Sequence, residues 1–233
     1  MLMYPLGDSA VILEFGNKIN HETNEKVLAA AQLLRNDPFQ GMIEVVPAYT
    51  TLTVHYDPLQ VRSSFPYETI CREVTLRLEK APFRRPSKGR IIRIPVCYDK
   101  KFAVDLSFVA EFNGLSEKDV IDIHSSTTYD VYFLGFSPGF PFLGGMNEKI
   151  ATHRKDSPRA KILKGSVGIA GGQTGIYPLE TPGGWQIIGR TPMPLLYLDQ
   201  THPTLLQPGD QVEFYPITCE EFAEMEGMRW GSE

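Results

Sequence analysis

Residues 129–190 read YDVYFLGFSPGFPFLGGMNEKIATHRKDSPRAKILKGSVGIAGGQTGIYPLETPGGWQIIGR, a stretch dense in Gly, Pro and aromatic residues. Ordering a glycine costs more backbone entropy than ordering any other residue. The pairs Gly144-Gly145, Gly171-Gly172 and Gly183-Gly184 therefore mark tight turns or close backbone approaches. The runs between them, Val131–Phe133, Val167–Ala170 and Trp185–Ile188, are apolar and partly β-branched, which favours short strands. The stretch predicts a compact β structure whose glycine-dense loops crowd one surface around a shared cleft.

Upstream, strands and helices alternate. Ser9–Phe15 reads as a strand, and Asn20 caps a helix with Glu22 and Glu25 near its start and Val27, Ala30, Ala31 and Leu34 on one face. Met42–Val46 and Thr50–Tyr56 are strand-like and can pair as a hairpin. Pro66 opens a second helix with the stripe Tyr67, Ile70, Cys71, Val74, Leu78. Ile91–Ile94 either closes this sheet or begins a new one. The order is that of a ferredoxin-like α/β sandwich.

Residues 81–90, APFRRPSKGR, break every periodicity, so a boundary is placed between residues 1–85 and 86–233. Beyond it, Asp105 reads as the cap of a short helix ended by Gly114, and Ser116-Glu117-Lys118-Asp119 as a second helix start. Pro208-Gly209-Asp210 is a turn before the strand containing Val212 and Phe214, and the acidic tail from Thr218 is helical.

A formal charge of -5 and a pI near 5.6 give no reason to expect nucleic acid or a phospholipid surface as partner. No apolar run reaches the ~18 to 20 residues of a membrane span, and residues 1–10 lack a signal-peptide pattern, so a cytoplasmic protein is expected. Cys71, Cys97 and Cys219 form no C-x-x-C pair and read as reduced thiols, and the five histidines are dispersed; no metal motif is present.

Ser137 fails the G-x-S-x-G spacing of a nucleophile elbow, leaving the aromatics of its loop to line a groove or to stabilise the loop. Gly171, Gly172, Gln173, Thr174 and Gly175 lack the P-loop lysine; they make either an anion-binding concavity or a structural turn. The basic segment Lys149–Lys164 is a solvated face or a contact for an acidic partner. Arg190 is placed to bind a carboxylate or phosphate, and His124 and Tyr177 are the proton-handling candidates.

HSSTTYDVYFLGFSPGFPFLGG (124–145), SVGIAGGQTGIYPLETPGGWQIIGRTP (166–192) and QPGDQVEF (207–214) closely resemble the KipI/PxpB family, also described as allophanate hydrolase subunit 1 or the carboxyltransferase-domain family. The resemblance covers nearly the whole chain. It implies an α+β protein: an N-terminal ferredoxin-like α/β domain followed by a cyclophilin-like β-barrel. It also implies the PxpB component of an ATP-dependent 5-oxoprolinase, inactive alone, converting 5-oxo-L-proline to L-glutamate with a KipA/PxpC-type and a PxpA-type subunit. ATP with Mg2+ would act at the level of that complex, activating a lactam carbonyl that is a poor electrophile. On this reading Gly171 to Gly175 and Arg190 bind substrate or nucleotide, and His124 or Tyr177 handles a proton. The same family implies an alternative, a KipI-type inhibitor of a sporulation sensor histidine kinase, with Phe136, Phe140 and Phe142 as partner-binding anchors.

Overall fold

The computed structural model describes residues 1–80, 89–197, 203–226 and 228. The chain divides into two compact units, Met1–Gly89 and Arg90–Glu233. The boundary expected between Arg85 and Pro86 lies outside the described residues.

The first unit contains β1 (Leu2–Pro5), β2 (Ala10–Glu14), α1 (His21–Asn36), β3 (Met42–Pro47), β4 (Thr51–Tyr56), the short α2 (Pro58–Val61) and α3 (Pro66–Lys80). Asn20 starts α1 by accepting a hydrogen bond from the Thr23 N–H at 2.8 Å, which satisfies one orphan donor of the first turn. Val27, Ala30, Ala31 and Leu34 are then buried against Ile70, Val74 and Leu78 of α3 and against the sheet. Each large aliphatic enclosed this way contributes ~1.5–3 kcal/mol.

The sheet is antiparallel with strand order β1-β2-β4-β3. The edge beside β2 is taken by β1, in register from Leu2↔Glu14 to Pro5↔Val11. Residues 2–5 carry no strand signal of their own, because three of the four are exposed and nothing alternates. Residues 91–94, the other candidate for closing this sheet, belong to the second unit.

That unit contains β5 (Ile91–Cys97), α4 (Leu106–Phe112), α5 (Glu117–Ser125), β6 (Thr128–Leu134), β7 (Pro141–Gly144), β8 (Arg159–Ile162), β9 (Ser166–Ala170), β10 (Gln173–Ile176), β11 (Thr181–Gly183), β12 (Gln186–Arg190), β13 (Gln211–Ile217) and α6 (Cys219–Glu226). Seven strands close a barrel in the order β10-β7-β6-β13-β5-β12-β9, and β8 and β11 form a separate ribbon. β5 and β13 pair in parallel from Ile91↔Gln211 to Cys97↔Ile217. No hairpin can join a parallel pair, so everything from α4 to β12 lies in the connection between them.

Alternation sends Val131, Leu143, Val167, Ile169, Ile176, Ile188, Val212 and Phe214 into one buried core. Leu106 and Val109 of α4 and Val120 of α5 join it. α5 begins with the capping box its sequence predicts: Ser116 Oγ accepts from the Asp119 N–H, and the Asp119 carboxylate accepts from the Ser116 N–H. Arg90 is anchored to the barrel by Asp210, whose carboxylate is buried and accepts from the guanidinium at 2.6 Å.

Candidate functional site

The glycine-rich segments meet on the outer face of the barrel, around an aromatic cluster. Phe140, from the β6–β7 loop, lies 5.1 Å from Tyr177, which follows β10, and 5.4 Å from Trp185, which precedes β12. Ile162, Ala170 and Ile187 complete the cluster. Two strand glycines let the rings approach. A Cβ on Gly175 would stand 2.9 Å from both Phe140 Cζ and the Pro141 carbonyl oxygen, and one on Gly183 would be 2.4 Å from the Tyr177 hydroxyl.

The three phenylalanines expected to anchor a partner separate here. Phe140 is core, 1 % exposed, and so presents no surface to a partner. Phe142 is half-buried and stacks on Phe133 at 4.5 Å. Phe136 is 67 % exposed and held at φ +67°, a left-handed conformation that costs a non-glycine residue about 1 kcal/mol or more.

Tyr177 is enclosed, and burial pushes its phenol up to about 12, with the Trp185 amide and the charges of Arg154 and Arg159 working the other way. At neutral pH it is a neutral hydrogen-bonding group. It is not a base.

Behind the ribbon lies an ion cluster that the sequence disguised. Asp105 occupies the position before α4, but its side chain makes no capping bond. Its carboxylate instead accepts two bonds from Arg159 (2.7 and 2.6 Å), one from the Ile187 N–H (2.7 Å) and a longer one from Lys155 (3.4 Å). Burial alone would raise its pKa, but the Arg159 and Ile187 bonds and the two cationic charges outweigh it and hold the carboxyl below its ordinary range. The basic segment is thus partly a clamp rather than a solvated face: Lys155 and Arg159 tie the residues before and within β8 to α4 and β12.

His124 is inside the barrel, fully enclosed and stacked on Phe214 at 4.6 Å. Its Nε2 is 3.0 Å from Thr174 Oγ1, and its Nδ1 is 2.7 Å from the Tyr98 hydroxyl. Thr174 donates its one hydroxyl proton to the Gly168 carbonyl at 3.0 Å, so it accepts from His124, which must carry its proton on Nε2 and accept from Tyr98 on Nδ1. Burial drives the imidazole down to about 3. The proton-handling expectation for His124 is therefore corrected: the ring is a neutral core group with no face toward solvent.

The five-residue anion-binding set also comes apart. Gly171 and Gly172 are the two-residue turn joining β9 to β10, with Gly171 at φ +57°. The Gly171 N–H donates to the Thr152 carbonyl at 2.8 Å, Thr174 points into the barrel, and Gly175 underlies Phe140. Gln173 is half-buried at the start of β10. Of the two readings the turn is correct, and these residues do not fit a phosphate group.

Arg190 pairs with Ser166 at one end of β9, whereas the glycine turn follows Ala170 at the other. Four residue steps separate the two, about 13 Å. Arg190 donates to the Lys164 carbonyl (2.9 Å) and to Glu226 (3.3 Å), packs over the Phe102 and Phe222 rings, and lines a cavity of about 310 Å³ with Lys164 and Thr191. The loops do not ring one cleft.

Polar atoms are left over within the glycine-rich segments. Ser137 Oγ, Thr181 Oγ1 and Gln186 Oε1, all from the glycine-rich segments, are enclosed and have no hydrogen-bond partner among the described residues. Sequence reasoning does not reach Asp105 and Arg159 in their ion-cluster roles, since partners 54 residues apart leave no local pattern.

Residues 1–206 match the carboxyltransferase domain, subdomain C and D. The chain is 49% identical over 223 residues to the B-type subunit of 5-oxoprolinase from Bacillus subtilis, covering 93% of both chains. It is 41% identical over 213 residues to the B-type 5-oxoprolinase subunit from Escherichia coli, covering 91% of this chain and 94% of that one. Among solved structures, TTHA0988 is similar with a TM-score of 0.79 and 37% identity, over 89% of this chain; the match spans only 40% of the TTHA0988 chain. From the shared segments and the closed barrel that they build, the protein belongs to the carboxyltransferase-domain family, among relatives named as 5-oxoprolinase subunits of the B type.

Proposed function

We propose that this chain is the PxpB-type component of a 5-oxoprolinase that opens 5-oxo-L-proline to L-glutamate at the expense of ATP, working with PxpA-type and KipA/PxpC-type subunits in the cytoplasm. The observation that carries the reading is the near-full-length match to two proteins named as 5-oxoprolinase subunits of this type. One other supports it: in TTHA0988 the similar segment is continuous with further polypeptide. On this reading exposed Phe136 faces substrate or partner. ATP and Mg2+ are assigned to the complex, since the glycine turn offers no phosphate cradle. No described helix is long and apolar enough to cross a membrane.

The same proposal takes the first unit as a ferredoxin-like sandwich with its edge strand supplied from the N-terminus, and the second as a cyclophilin-like barrel. The test is co-purification with both partner types, followed by ATP-dependent glutamate formation from 5-oxoproline. Turnover by the full set and none by this chain alone is expected; a silent full set refutes it.

The KipI-type reading rests on exposed Phe136 as an anchor for a sensor histidine kinase. It requires reduced kinase autophosphorylation at saturating protein, without any 5-oxoproline present.

A further inference from the structure

Cys97 and Cys219 are 122 residues apart in the chain, yet their sulfurs lie 3.7 Å from one another. The parallel register of the barrel brings them together: β5 ends at Cys97, opposite Ile217 of β13, and α6 begins two residues later at Cys219. Cys71 is in the first unit, on α3.

We propose that Cys97 and Cys219 form a dithiol site that a small neutral or cationic disulfide oxidises to an intramolecular disulfide, tying α6 to β5. Both cysteines line one surface pocket of about 410 Å³. Asp99 and Glu220 line it too, and two carboxylates favour uncharged or cationic reagents over anionic ones.

The order of events follows from exposure. Cys219 is half-buried and reachable, whereas Cys97 is 1 % exposed and burial pushes its thiol up to about 11. With hydroxyethyl disulfide, the Cys219 thiolate attacks one sulfur, forms a mixed disulfide and expels one 2-mercaptoethanol thiolate. Cys97 then gives up its proton, attacks the Cys219 sulfur and expels the second. Two electrons pass from protein to reagent, and the protein loses two hydrogens. Disulfides of this kind in reducing compartments are transient and redox-sensing.

The bond would act on the cavity that Arg190 lines. α6 carries Phe222, packed on Phe102 at 4.4 Å, and Glu226, which accepts from Arg190. Fixing the first turn of α6 would hold that wall in place.

The experiment treats the full-length chain with hydroxyethyl disulfide, then denatures and alkylates it and reads intact mass. The expected product has lost two hydrogens at Cys97 and Cys219, carries no adduct on either, and leaves only Cys71 of the original three cysteines outside the bond. Cys97→Ser should stop at a mixed disulfide on Cys219, and Cys71→Ser should close the bond like the parent. A 2-mercaptoethanol adduct that persists on Cys71→Ser, where only Cys97 and Cys219 remain, would overturn the proposal. So would three alkylatable thiols at a redox ratio that oxidises C-x-x-C dithiols. Neither readout depends on 5-oxoprolinase activity.

Discussion

Replacing Asp105 by Asn tests whether the ion cluster holds the β8–β11 ribbon on the barrel. Asn has nearly the same volume and can still accept from the Ile187 N–H, but its amide turns a donor toward the Arg159 guanidinium. Removing one partner of a buried pair costs ~3–5 kcal/mol when the other stays buried. Here Arg159 and Lys155 keep 29% and 30% of their side-chain exposure and regain water, which brings the loss down. The lost charge-assisted bonds then set it at about 2–3 kcal/mol.

Urea unfolding followed by tryptophan fluorescence reads this directly, because Trp185 is buried in the aromatic cluster beside the ribbon. With a urea slope of ~2 kcal/mol/M, the midpoint should fall by about 1–1.5 M. The pH dependence gives a second check. Because the folded carboxyl is held low, its contribution is fully present above the unfolded value of about 3.9 and is lost as pH falls through the folded one. Parent and Asp105→Asn should therefore converge in acid. A midpoint shift under about 0.3 M at pH 7, or a gap that persists at the lowest pH, would refute the clamp.

His124 offers a pH signature of its own: unfolded it titrates near 6.5 and folded near 3, so stability present above pH 6.5 is lost as pH falls toward 3, at about 1.4 kcal/mol per unit. His124→Gln keeps a donor for Thr174 and should flatten that slope in unfolding curves recorded from pH 7 to 4; an unchanged slope contradicts the buried neutral ring. Gly175→Ala should cost ~1–3 kcal/mol in the same unfolding assay, because its Cβ meets the backbone oxygen of Pro141 as well as the Phe140 ring. Phe136→Asp should leave the unfolding midpoint within ~0.5 kcal/mol of the parent, as an exposed position does. In a pull-down with the partner subunits it should lower recovery; full recovery would remove Phe136 from the contact.

Local features are readable because their causes are local. The Asn20 cap, the Ser116–Asp119 capping box, the helix stripes and the β9 and β12 runs each need only residues within one or two turns. β1 escapes because its exposed residues carry no alternation, and Asp105 misleads because an aspartate before a helix is a cap in most settings.

Residue order alone determined where most of the first unit's elements and the β9 and β12 runs fall, β1 excepted, and it carried the three segments that identify the family. Only the closed barrel decided which faces those residues present. Alternation at period two sends Thr174 inward to His124 and Gly175 outward beneath Phe140, and closure carries Arg190 and the Gly171-Gly172 turn to opposite ends of one strand. Side-chain direction depends on register with distant strands, as does the meeting of Asp105 with Arg159 or of Cys97 with Cys219, and register is set when the sheet closes.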